Sequence, residues 1–490
     1  MNQSDLIAAL PLIILAGTGL IILLWDAFEK TPSRIPLYLT IIGSGAAAYF
    51  AAVNIGVPSP VAFGGLFFNT GYSNFFTIIF SVATILTALL AERYLHEEEV
   101  LIGEFCALLL FAASGMVMMA SGADLLVIFL GLETMSIAFY VLSGLFRKKL
   151  ESNEAALKYF LLGAFATGFF LYGIALIYGS FGTMNLVTIH NTVIAGGDKV
   201  AQIFGSPMLL LGVVLLIVGL AFKVAAFPFH QWAPDVYEGA PTVVSGYMST
   251  AGKAAAFSAF VLIFLYALIP INPPHVGTEK IQIILAALAA CSMLYGNIVA
   301  LSQTKIKRML AYSSTAHAGY LLLGVAALNT AGAAGVGIYA AVYLLMQVSA
   351  FGIVSMLEKE TGTGLELNDY VGLAKRRPWA AFMMSVIMLS LAGIPPFAGF
   401  FGKYYLFMAA ISAGLTWLAI VGVISSIIAS YFYLRIIVLM YFREPQHTDN
   451  IVIAKENNLT YVVIGLASVA ITILGLMPGL LTDTAGYFFK

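Results

Sequence analysis

This sequence predicts an all-α, polytopic membrane protein of about fourteen transmembrane helices, on three observations. Of its 490 residues, 61% are hydrophobic and only 10% charged. Soluble proteins carry about 25% charged residues, so this chain cannot cover itself with a water-compatible surface. Its apolar residues fall in runs of about 20, enough at about 1.5 Å per residue to cross a hydrocarbon core about 30 Å thick. Alternate loops between these runs hold fifteen of the 23 basic residues, against three on the opposite face. Short segments of period-two alternation are absent, so nothing suggests a membrane β-barrel. A net charge of −1 offers no basic surface for nucleic acid. The two cysteines, Cys106 and Cys291, lie far apart and outside any CxxC pair, so they give a disulfide framework or an iron–sulfur cluster no support. Both are expected to be small core residues.

The first run, 6–25, follows MNQSD, which has Asp5 but no Lys or Arg, and reads as a retained anchor rather than a cleaved signal peptide. Runs at 36–53, 75–95 and 101–120 follow. The fifth, 122–146, opens behind Asp124, a candidate N-cap, and carries Glu133 alone in its middle. The sixth, 158–180, has Lys158 at its start, where a long side chain can snorkel to the interface. In the seventh, 207–229, Pro228 removes an amide donor and frees the carbonyl of Val224, beside Lys223. The eighth, 240–268, places Ser245, Ser249 and Lys253 four residues apart. The ninth is 281–300. The tenth, 309–328, aligns Ser313, His317 and Tyr320, and the eleventh is 335–357. The twelfth, 379–411, is too long for one straight span. Its Pro395–Pro396 pair frees the carbonyls of Leu391 and Ala392, with Lys403 seven residues beyond Pro396. The thirteenth, 416–442, carries Arg435 near one end, and the fourteenth is 460–481.

Loops after odd-numbered helices hold fifteen basic residues: Lys30, Arg34, Arg93, Arg147, Lys148, Lys149, Lys305, Lys307, Arg308, Lys359, Lys375, Arg376, Arg377, Arg443 and Lys455. The opposite face holds Lys199, Lys280 and Lys490. The positive-inside rule puts the first set in the cytoplasm and both termini outside. Five basic residues remain: Lys158, Lys223, Lys253, Lys403 and Arg435.

A charge at mid-membrane costs about 2.5–3.5 kcal/mol on insertion scales and points to function. Three central lysines against one central glutamate cannot all be neutralised by pairing. Desolvation disfavours charge on any ionisable group, which is the condition for exchanging protons near neutrality. Hydroxyls extend the charges into stripes. Glu133, Ser136, Tyr140 and Ser143 share one face of the fifth helix, and Ser313, His317 and Tyr320 one face of the tenth. Proline breaks inside a membrane persist only where protein or a water-filled cavity satisfies the backbone. Here the broken seventh and twelfth helices stand five spans apart and run in opposite directions. That pattern predicts two inverted five-helix repeats, 101–270 (helices four to eight) and 281–442 (helices nine to thirteen). Helices one to three, within 1–100, and the helix at 460–481 complete a single membrane domain over 1–490.

No GxGxxG motif follows a strand, and there is no Walker sequence and no Cys/His ligand set. His96, His190, His230, His275 and His447 lie mostly near loops, without the spacing that holds haem between helices. No nicotinamide, flavin, ATP or metal site is therefore expected in this chain. Its energy must come from an ion gradient or from another subunit.

The stretches AFKVAAFPFHQWAPDVYEGAPTVVSGYMSTAGKAAAF, KIKRMLAYSSTAHAGYLLLG and LAGIPPFAGFFGKYYLF closely resemble the subunit N family of the proton-translocating NADH–quinone oxidoreductase, respiratory complex I. The resemblance covers essentially the whole chain, within a wider antiporter-like family that includes subunits L and M and the sodium/proton antiporters. Lysine at Lys403, where subunit M has glutamate, and the absence of a long lateral helix point to N. The resemblance implies a proton relay in which Glu133 sits beside Lys223, Lys253 connects, Lys403 serves a second half-channel, and His317 lies between the two. Lys158 is a secondary candidate. It further implies a bacterial cytoplasmic (inner) membrane location, with subunit M and small membrane subunits as partners. NADH, FMN, iron–sulfur clusters and quinone are then expected in partner subunits and no cofactor in this one. Two rival readings are a self-standing cation/proton antiporter subunit and a structural subunit whose charges only hold partners.

Overall fold

A computed structural model describes residues 3–28, 33–55, 61–96, 102–269, 278–361, 365–444 and 458–485. Lys30, His275, His447, Lys455 and Lys490 lie outside the described residues, as do the side chains of Arg93, His96, Lys199 and Lys359. The chain opens with α1 (Gln3–Phe28) and α2 (Ile35–Asn54), then a hairpin of β1 (Val61–Ala62) and β2 (Phe67–Phe68). Next come α3 (Gly71–His96), α4 (Ile102–Ser121), α5 (Leu125–Ser143), α6 (Leu150–Phe181), α7 (Leu186–Ala195), α8 (Asp198–Gly205), α9 (Pro207–Lys223) and α10 (Trp232–Gly239). A continuous helical run over Thr242–Leu268 contains α11 (Thr242–Tyr247) and α12 (Lys253–Phe260). Its turns at Met248–Gly252 and Val261–Leu268 are π-helical. The second half holds α13 (Thr278–Leu301), α14 (Ile306–Ala326), α15 (Thr330–Thr361), α16 (Leu373–Arg376), α17 (Pro378–Ala392), α18 (Ala398–Ser412), α19 (Thr416–Phe442), α20 (Asn458–Leu476) and α21 (Gly479–Ala485).

Among the described residues, eleven helices are long and apolar enough to cross a membrane, and they stand where the apolar runs were read. The molecule is thus a polytopic α-helical membrane protein. Three details differ from the sequence reading. A small antiparallel hairpin, pairing Val61 with Phe68 and Ala62 with Phe67, is added to the otherwise all-α bundle. Gly64 and Gly65 turn it at φ +63° and +97°, which side chains resist, and Phe63 N–H donates to Asp5 Oδ1 at 2.8 Å. Next, α6 starts at Leu150, eight residues before the predicted run, because LESNEAAL continues the helix in polar residues. Its 32 residues extend about 48 Å, more than the hydrocarbon core, so its first turns reach beyond it. Finally, Cys106 is buried as expected, but Cys291 is exposed on the apolar outer side of α13.

Burial sorts the helices into an inner set and an outer ring. The apolar windows of Thr242–Leu268 and Thr330–Glu358 are 94% and 89% buried, against 39% for α6 and α19. Outward residues such as Phe165, Tyr172, Ile427 and Tyr431 are exposed, as a lipid-facing surface requires. Lipid tails are as apolar as leucine, so contacts between helices must come from close fit. Gly115 on α4 and Gly131 on α5 let the two backbones approach until a Cβ on either would lie 2.5–2.6 Å from the other's carbonyl oxygen.

Candidate functional site

Helix α9 stops at Lys223, and Ala225 turns the chain at φ +55° before Pro228. The lysine is thereby held at a helix end, 4% exposed. Its Nζ donates to Tyr140 Oη at 3.2 Å and lies 5.3 Å from that ring and 5.7 Å from the ring of Tyr159. Glu133, two turns earlier on α5, acts on the Lys223 charge through space. Its Oε1 is buried without a hydrogen-bond partner, and among the described residues no carboxylate forms an ion pair with Lys223. Tyr140 is thus the hydrogen-bond partner of Lys223, and Glu133 lies within charge range of it. Ser136 and Ser143, on the same stripe, spend their hydroxyl protons on the carbonyls of Leu132 and Phe139.

Lys253 is 1% exposed and donates to the Ser314 carbonyl at 2.8 Å. The π turn at Met248–Gly252 shifts the register just before it, and Ser245 and Ser249 donate to the carbonyls of Tyr237 and Gly246. His317 sits in a ring of hydroxyls. Its Nδ1 is 2.6 Å from Tyr339 Oη and its Nε2 3.0 Å from Tyr433 Oη, which in turn bonds Ser313. Both Lys253 and Lys403 are close enough to act on the charge of His317.

Lys403, in the second turn of α18, reaches back into the interval between α17 and α18. Its Nζ donates to the carbonyls of Leu391 and Ala392 at 2.9 and 3.1 Å, the two acceptors that Pro395 and Pro396 free. It also donates to Ser426 Oγ at 2.9 Å and lies 4.9 Å from the Tyr320 ring. An ammonium placed here repairs the backbone gap that the prolines open, and no carboxylate is needed to hold it.

Lys158 lies apart from this buried line. It is two turns inside α6 rather than at its start, and its side chain is 41% exposed. It is paired rather than snorkelling alone, with Glu154 at 2.7 Å and Asp235 at 2.8 Å. Asp235 and Glu238 on α10 also bind Arg308, each at 2.8 Å, and Glu238 binds Lys305 at 2.6 Å. Burial opposes the charge on Asp235, yet hydrogen bonds from Lys158 and Arg308 outweigh it and hold its carboxyl below the ordinary value. Glu238 is held down in the same way by Arg308 and Lys305. This network ties α6, α10 and α14 at the face that carries the basic loops.

Asp124 caps α5 as the sequence suggested, accepting from Leu126 N–H at 2.9 Å. His230, set aside in the sequence, is 5% exposed between α9 and α10, stacked on Phe227 and close enough to Lys253 to sense its charge. The signal was present in FPFHQW, a histidine two residues after the helix-breaking proline. Among the described residues no group of three His, Cys, Asp or Glu side chains converges on a metal position.

Residues 122–429 match the family model described as NADH:quinone oxidoreductase/Mrp antiporter, transmembrane. The chain is 42% identical to NADH-quinone oxidoreductase subunit N of Salinibacter ruber over 99% of its own length and 96% of the relative's. It superposes on a chain of respiratory complex I from Thermus thermophilus with TM-score 0.79 and 34% identity, covering 96% of this chain and 98% of that one. A chain of the Mrp complex from Dietzia shares the fold, with TM-score 0.83, 21% identity, and coverage of 99% and 97%.

Proposed function

The chain belongs to the subunit N family of NADH-quinone oxidoreductases, within the NADH:quinone oxidoreductase/Mrp antiporter family, and from that membership we propose that it translocates protons for such a complex without holding a redox centre. One observation carries the reading: Lys223, Lys253 and Lys403 are all buried, and neutral oxygens hold each of them. A lysine locked in an ion pair cannot give up its proton cheaply, whereas one held by hydroxyls and carbonyls can. Electron transfer from NADH to quinone in partner subunits shifts charge along the polar axis. The relation of Glu133 to Lys223 changes, and a proton moves through Lys253 and His317 to Lys403 and out. Against 100 mV the step requires about 2.3 kcal/mol, a swing of under roughly two pKa units. Lys158 is secondary, positioning Asp235 at the basic-loop face.

The same reading counts fourteen spans, adding α9, α14 and the α17–α18 pair to the eleven long helices. It takes the interruptions after Lys223 and Ala392 as the broken seventh and twelfth helices of two inverted repeats. The basic loops then face the cytoplasm of a bacterial inner membrane, both termini lie outside, and subunit M and small membrane subunits are the neighbours. The test is quinone-coupled proton pumping in inverted vesicles. Lys223→Ala and Glu133→Ala are expected to reduce it severely, and undiminished pumping by an assembled complex would overturn the relay.

A further inference from the structure

Between α10, α14 and α15 lie four polar atoms that the relay does not use. Tyr237 Oη, Ser314 Oγ, Tyr343 Oη and Gln347 Oε1 are buried without a hydrogen-bond partner, on side chains no more than 2% exposed. Ser314 Oγ is a neighbour of both tyrosine hydroxyls without reaching hydrogen-bonding geometry to either. Buried polar groups are nearly always satisfied, by protein or by ordered water. Tyr237 and Tyr343 flank Ser314, and Gln347 lies one turn along α15 from Tyr343, so three hydroxyls and an amide oxygen supply the donors and acceptors that a buried water requires.

The site touches the relay at two points. Lys253 donates to the backbone carbonyl of Ser314 itself. Tyr339, one turn before Tyr343 on α15, is bonded to His317 Nδ1. In the other direction helical spacing leads to the basic-loop face. Lys307, Ser314 and His317 fall on one side of α14, and Tyr343, Gln347 and Glu358 on one side of α15. About 16 Å of α15 separates Gln347 from Glu358. Along that interval Gln347 Nε2 donates to the Leu310 carbonyl at 3.4 Å.

At the far end Lys307 is only 3% exposed, donates to the Ala240 carbonyl at 2.8 Å and senses the charge of Glu358. Glu358 Oε2 accepts from Thr242 Oγ1 at 2.5 Å and from Tyr94 Oη at 3.2 Å. Among the described residues, Tyr94, Thr242, Lys307 and Tyr370 face or sense this carboxylate.

We propose that Tyr237, Ser314, Tyr343 and Gln347 hold a cluster of ordered waters, and that Glu358, beside Lys307, loads protons into it from the basic-loop side toward Lys253 and His317. This inference rests on the proton-relay reading and names its uptake side. A hydronium gives its proton to the Glu358 carboxylate, forming an O–H bond. That bond breaks as the proton passes along the waters to the nitrogen base at the inner end, and no electron moves.

Two measurements on the intact complex test it. Glu358→Gln keeps an acceptor oxygen for Thr242 and Tyr94 but cannot exchange a proton. It is expected to cut protons pumped per quinone reduced several-fold, while Glu358→Asp retains pumping. Gln347→Leu, which makes one wall of the site apolar, is expected to act like Glu358→Gln and reports independently should the latter fail to assemble. X-ray hydroxyl-radical labelling, which marks side chains beside bound water, should modify Tyr237 and Tyr343 above the level of the equally buried Tyr433. Full pumping by Glu358→Gln, or by Gln347→Leu where Glu358→Gln does not assemble, overturns the loading role. Labelling no stronger than that of Tyr433 overturns the water site. If Lys223→Ala pumps fully in the same assay, the relay reading falls instead.

Discussion

Lys223 shows how much one neighbour decides. Its hydrogen bond goes to Tyr140, and Tyr140 fits only because residue 163 is glycine, where a Cβ would overlap the phenol oxygen. Gly163→Ala is therefore expected to push Tyr140 off Lys223 and to reduce pumping as Tyr140→Phe does. A loss with Gly163→Ala but none with Tyr140→Phe would show that the hydroxyl is not the operative partner. Lys403 allows a sharper test. Replacing it with Met leaves the Leu391 carbonyl without its Nζ donor, at a cost of about 1–3 kcal/mol, while Ala392 keeps the Ser426 hydroxyl. Pumping should be lost, and thermal unfolding of the complex should shift modestly, because removal of a buried ammonium offsets part of the cost. The buried lysines were legible in the sequence because a charge inside an apolar run is costly in lipid and stands out from its neighbours. Tyr140 and the Ser313–His317–Tyr320 stripe were legible by helical spacing. Asp235 and His230 were not, since each matters through residues on other helices.

At the scale of an element, α10 is the piece that joins the two halves of the chain, through Lys158 on α6 and through Lys305 and Arg308 at the start of α14. Asp235 and Glu238 are held below their ordinary values of 3.8 and 4.5. Their contribution is therefore complete above that range and is lost as pH falls through the depressed folded values. The protection factor of the α10 amides, with the intrinsic pH dependence of exchange divided out, should be constant from neutral pH down to about pH 5 and fall only in stronger acid. Asp235→Asn should lower it at neutral pH; an unchanged protection factor would remove α10 from the role of a tie. The pairs are partly exposed, so the effect on overall stability is small. The helices themselves were readable from run length and proline position. The extra turns of α6 and the hairpin at Val61–Phe68 were not, because polar residues and a few glycines carry them without an apolar period.

For the whole molecule, orientation is the property still open to a direct experiment. Lys148→Cys, on the basic-loop face, should react with a membrane-impermeant thiol reagent in inverted vesicles, and Lys280→Cys only from the other side. The reverse pattern would invert the proposed topology and with it the direction of proton movement. Native Cys106 is buried, but Cys291 is exposed and should be replaced for this measurement.

Composition and the length of the apolar runs were sufficient to assign this chain to lipid and to pick out the charges that do not belong there. Transfer free energy accumulates residue by residue along the chain, so a linear reading captures it. Which oxygen meets each charge is a different matter. Tyr140 lies 83 residues from Lys223, Ser314 lies 61 from Lys253, and Tyr433 lies 116 from His317. Those pairings come from helices packed at ångström distances, where the position of a single glycine or proline selects the partner, and only the folded bundle decides them.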